Sequence, residues 1–125
     1  MEINDELHDN LIALHVDNLQ RRIHEQAVSK GWWDEPRDVP HCLALIHSEL
    51  SEALEDYRMS TPQDPNLCYE IEGKPGGILV ELADAMIRIL DLAEHIAPSV
   101  SFGRVLLDKM AYNATRPHRH GGKRA

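Results

Sequence analysis

GILVELADAMIRILDLAEHI, residues 77–96, is the stretch whose reading decides the fold. Apolar side chains recur at three- and four-residue steps through Ile78, Leu79, Leu82, Ala83, Met86, Ile89, Leu90, Ala93 and Ile96. That is the period of an amphipathic helix, not of a strand. Pro98 forbids extension much beyond Ile96. The apolar face is wide enough to ask for more than one neighbour. On the opposite side Glu81 and Asp84 stand one turn apart.

Upstream, residues 40–59 repeat the arrangement. Leu43, Ile46, Leu50, Ala53, Leu54 and Tyr57 form an apolar stripe, and Glu49 and Glu52 stand a turn apart in HSELSEALEDY, residues 47–57. Asp56 lies close by. No lysine or arginine interleaves these acids, so like charges repel at helical spacing. Between the two segments STPQDPNLCYEIEGKPGG, residues 60–77, is polar and rich in Pro and Gly, a surface loop with room for a short strand or turn.

A first helix over residues 5–29 carries Leu7, Leu11, Ile12, His15, Leu19, Ile23 and Ala27, with Gly31 suited to the left-handed position after its end. WWDEPRDVP, residues 32–40, is a loop held open by two prolines. Ser101 caps a fourth helix over residues 102–114, and RPHRHGGKRA, residues 116–125, frays into a basic tail. No internal repeat is present. These elements predict one all-α domain over residues 1–125, with 115–125 as tail. They form a four- to five-helix bundle completed by homo-oligomerisation, a homodimer or homotetramer.

With 21 acidic against 13 basic residues the net charge is −8, which argues against a general nucleic-acid binder. Two cysteines, Cys42 and Cys68, form no CxxC. With no signal peptide and no apolar run near ~20 residues, the expectation is a soluble protein of the cytoplasm with reduced thiols and no membrane partner.

If the second and third helices are neighbours, Glu49, Glu52, Glu81 and Asp84 converge. Four such groups cannot all ionise cheaply without a cation. All-oxygen ligation selects Mg²⁺, with Mn²⁺ able to substitute, over zinc. Such ions bridge phosphate oxygens and activate water. The competing reading is a pair of solvated acidic faces on a non-catalytic helical oligomerisation module.

The constellation resembles the MazG-like all-α NTP pyrophosphatase superfamily, which takes in dimeric dUTPases, dCTP pyrophosphatases and phosphoribosyl-ATP pyrophosphatase. Its ExxE, spacer, ExxD signature matches Glu49 and Glu52, then Glu81 and Asp84. KMAYNATR, residues 109–116, looks like its K-x-x-x-N-x-x-R segment, and KGWWDEP, residues 30–36, sits where relatives carry an aromatic residue against the base. The resemblance implies hydrolysis of a (d)NTP to the (d)NMP and pyrophosphate, for cleaning or rebalancing the nucleotide pool. Some phage relatives act on dGTP, and a phage-encoded chain would work in the host cytoplasm. Other substrates within the superfamily are dUTP, dCTP and phosphoribosyl-ATP. Carried over, the four carboxylates hold magnesium, Glu49 or Glu52 serves as catalytic base or the metal alone lowers the water's pKa sufficiently, Lys109, Asn113 and Arg116 bind phosphate, and Trp32 or Trp33 stacks on the base. Many relatives read EExxE, with an extra glutamate to activate water, where this chain has Ser48.

Tyr112 reads as packing, and GKPGG, residues 73–77, as a loop before a helix and not a Walker A. None of the eight histidines falls in HExxH or ExxH spacing. His15 and His47 read as partly buried, satisfied side chains. His118 and His120 lie in the tail, either folded over phosphates or solvated.

Overall fold

In the computed structural model, which describes residues 3–124, the chain is mostly helical. The elements run α1 (Ile3–Ser29), α2 (Val39–Arg58), β1 (Tyr69–Ile71), β2 (Lys74–Gly76), α3 (Ile78–Ile96), α4 (Phe102–Ala114) and a single turn α5 (Arg119–Gly122). The four long helices match their expected spans to within two residues. α3 is the hub: α2 packs along it most extensively and α1 packs on it too, while α4 lies against α1.

Local chemistry sets the helix ends. Asp38 caps α2, its side chain accepting from the His41 amide at 2.7 Å, with Pro40 in the first turn where its missing N–H costs nothing. Ser101 caps α4 by accepting from the Arg104 amide at 3.1 Å. α3 has no side-chain cap. Instead the Ile78 and Leu79 amides donate to the carbonyls of Asn66 and Leu67 at 2.8 and 3.0 Å. Gly77 makes that approach feasible, because its φ is 109° and a Cβ there would meet the Leu67 carbonyl at 2.6 Å.

The connecting loop does contain strands. β1 and β2 form an antiparallel hairpin pairing Tyr69 with Gly76, Glu70 with Pro75 and Ile71 with Lys74. The two turn residues, Glu72 and Gly73, both have positive φ, as a tight hairpin turn requires.

Within one chain the apolar stripes are largely uncovered: Leu43, Leu50, Leu54 and Tyr57 of α2 are exposed, as are Leu79, Leu82, Met86, Ile89 and Ile96 of α3. Leu7, Leu11, Ile12 and Leu19 of α1 are exposed as well. What the chain buries is small or polar: Ala13, Gln20, Cys42, Glu49, Ala53, Ala85 and Asp91, with Leu90 and Leu92. Small side chains let helix backbones approach closely, and the large apolar groups are left outside. The accessible surface is 9670 Å². A compact monomer of this mass exposes about 6,800 Å².

Polar bonds stitch α1 to α3 and α4. Gln20 Nε2 donates to Glu94 at 2.8 Å, and His24 Nδ1 pairs with Asp91 at 2.7 Å. Asp17 accepts from Ser101 Oγ at 2.6 Å and from the Gly103 amide at 2.8 Å. Gly103 lies so close to Ala13 that a Cβ would collide with the Ala13 backbone. His15 and His47 are both exposed, correcting the reading of them as partly buried. They fall on the outer faces of α1 and α2. No helix among the described residues is long and apolar enough to cross a membrane.

Candidate functional site

Packing α2 on α3 turns the two acidic stripes toward each other. One carboxylate oxygen from each of Glu49, Glu52 and Glu81 lies within 4.8 Å of the other two. Glu49 is buried, Glu81 half-buried and Glu52 exposed, so the cluster opens to solvent on one side. Asp84 is half-buried one turn further along α3. It lies outside the three-carboxylate group but close enough to feel Glu49.

The electrostatics follow from that crowding. Burial pushes the Glu81 carboxyl up to about 7, and a hydrogen bond with Glu52 and the charges of Glu52, Asp84 and Glu49 push the same way. Its Oε2 is buried with no hydrogen-bond partner among the described residues. Asp84 is raised by burial and by Glu49, with Arg88 and Lys74 pulling it back. Arg88 Nε donates to Glu49 Oε1 at 2.8 Å. Asp56 stands apart, accepting from Tyr69 Oη of the hairpin at 3.1 Å. Ser48 Oγ donates to the Leu45 carbonyl of its own helix at 3.0 Å.

Beside the cluster lies a cavity of about 340 Å³, near the lower end of the ~300–1,000 Å³ typical of small-molecule sites. Glu49, Asp84, Arg88 and Asp91 form its polar wall. Ile23, Ala27 and Ile87 give it an apolar side, and Gln26, Lys30, Trp32 and Arg37 complete it. The WWDEPR loop separates the roles of its two tryptophans. Trp32 is exposed on the cavity, with the Arg37 guanidinium 5.7 Å from its ring centroid. Trp33 is structural: Nε1 donates to both Asp91 oxygens at 3.0 and 3.1 Å, and the ring stacks on His95 with centroids 4.0 Å apart.

The chain does not bring Lys109, Asn113 or Arg116 to the carboxylates. α4 packs on α1, and none of the three lines the cavity. Lys109 and Arg116 instead bracket the exposed Tyr112 ring, at 4.9 and 6.0 Å from its centroid. Tyr112, read from sequence as packing, is exposed. His118 is exposed, and the side chain of His120 lies outside the described residues. Sequence reading passed over Arg88, Lys30, Gln26 and Arg37. Arg88 had a usable signal, since it stands four residues after Asp84 on the same helix face.

No family model matches the chain, and no curated protein or solved structure matches it.

Proposed function

We propose that this chain is a Mg²⁺-dependent nucleotide pyrophosphohydrolase of the MazG-like kind, converting a (d)NTP to the (d)NMP and pyrophosphate. One observation carries the reading: three carboxylates from two helices remote in sequence meet within 4.8 Å and open beside a cavity walled by Trp32. The donor set fits a hard divalent cation, being all oxygen, partly buried and under-neutralised. The partnerless Glu81 Oε2 and the raised Glu81 carboxyl are what crowding without a metal would produce. Glu49, Glu52, Glu81 and Asp84 would hold the ion. When bound, Mg²⁺ supplies Lewis-acid stabilisation to the phosphates and lowers the pKa of the attacking water.

The chain's own side chains do the rest. Trp32 and the apolar wall take the base and exclude water around it, with the Arg37 guanidinium beside both tryptophan rings. Glu52, the exposed member of the cluster, accepts the water's proton as the water oxygen bonds Pα and the Pα–O bond to the pyrophosphate breaks. Glu49 is the alternative base. Lys109, Asn113 and Arg116 serve the polyphosphate from the α4 of a neighbouring copy, which the exposed apolar faces of α1, α2 and α3 draw into a homo-oligomer.

Pyrophosphate release from a panel of canonical (d)NTPs, extended to dUTP and phosphoribosyl-ATP, tests the proposal and names the base. Glu49→Gln and Asp84→Asn should each lower turnover by at least ~10²-fold with the fold retained. Absence of turnover on every nucleotide, together with no Mn²⁺ binding, would leave only a helical assembly module.

A further inference from the structure

Arg88 is the one cation ion-paired to the acidic cluster among the described residues. Its Nε reaches Glu49 Oε1 at 2.8 Å, and the Glu49 side chain is only 10 % exposed, so this pair supplies a buried carboxylate with its neutralising charge. Only Nε is engaged. The guanidinium carries five N–H donors, and its Nη groups make no side-chain hydrogen bond among the described residues. Arg88 also lines the cavity beside the cluster, sharing its wall with Glu49, Asp84 and Trp32.

A guanidinium this close to Glu49 repels any divalent cation seeking the same carboxylate. A fixed arginine would therefore weaken the site it stands in. An arginine that can leave would not, because the opening of the cavity offers its free N–H groups an anion to bind.

We infer that Arg88 is an exchangeable counter-ion. It neutralises Glu49 while the cluster lacks a divalent cation. It gives Glu49 up when the cation arrives, and its guanidinium turns into the cavity to grip a phosphoryl oxygen of the triphosphate. The inference rests on the metal and phosphate reading above and adds to it the ordering of metal before anion.

Titration with Mn²⁺ alone, followed by electron paramagnetic resonance of the free ion, tests this without turnover. Arg88→Gln should bind Mn²⁺ about tenfold tighter than wild type, and a non-hydrolysable α,β-imido triphosphate about tenfold more weakly. Arg88→Lys should stay near wild type for Mn²⁺, because the charge remains, and lose affinity for the triphosphate, because the fork is gone. Unchanged or weaker Mn²⁺ binding in Arg88→Gln would overturn the exchange and make Arg88 a mere support for Glu49, leaving the hydrolase reading intact. No Mn²⁺ binding by the wild type would sink both. Should Arg88→Gln fail to fold, nitrogen-15 NMR of the wild-type arginine Nε–H signals decides. The Arg88 signal, identified by its loss in Arg88→Lys, should lose exchange protection on adding Mg²⁺ and regain it with the analogue. A signal indifferent to Mg²⁺ would overturn the inference.

Discussion

Glu81 holds its proton near neutrality because burial disfavours its charged form and ionising it would place a charge beside Glu52, Asp84 and Glu49. Its carboxyl is raised from 4.5 to about 7 in the folded chain. Between those values the folded state binds more protons than the unfolded state, so stability falls as pH rises from about 4.5 to about 7 and levels off above. Glu81→Gln removes that slope. The variant should melt above wild type at pH 8 and close to it at acid pH, as thermal unfolding across the range would show; parallel curves would contradict the burial of Glu81. The ExxE and ExxD spacings were legible at this scale, because helical period puts i and i+3 side by side. The division between Trp32 and Trp33 was not. Both are large and apolar with a single N–H, and only the buried Asp91 carboxylate one turn after Arg88 selects which indole it captures.

Helix boundaries were legible because prolines, Gly31 and Ser101 act locally. What the period could not tell is which stripe meets the same chain. A helix with leucines on one face and acids on the other is equally periodic whichever face is inward. The deciding features are contact-specific: Ala13 against Gly103, and Ala53 and Ala85 buried on α2 and α3. The α1–α4 contact offers the cleanest test. Gly103→Ala would drive a methyl group into the Ala13 backbone and should cost about 1–3 kcal/mol in a urea melt. Helix propensity alone would favour alanine by up to ~1 kcal/mol. A stabilised Gly103→Ala variant would mean that α4 does not rest on α1 as described.

For the molecule as a whole, the surface is larger than one compact chain should show. The excess over a compact monomer is about 2,900 Å², which over two chains comes to about 5,800 Å², at the upper end of what obligate interfaces bury in total. Light scattering on the purified protein should return at least twice the 14.2 kDa of one chain. In a monomer, glutamate at the exposed Leu50 and Leu82 would alter stability by roughly 0.5 kcal/mol or less each. In an assembly, Leu50→Glu with Leu82→Glu should break it apart and lower the melting temperature clearly. A monodisperse wild-type monomer would remove the case for a neighbouring α4.

The clustering of carboxylates between α2 and α3, with most of their large apolar side chains on the outside, has a consequence for salinity. Added electrolyte screens repulsion among the inner carboxylates and across the net −8 of the surface. Strongly hydrated salts such as sulfate tighten the contacts of an oily exterior. For most proteins whose ion pairs face water, brine removes attraction as well as repulsion. Here the main ion pair is sheltered and acidic residues outnumber basic ones, 21 to 13, so brine should make this chain sturdier.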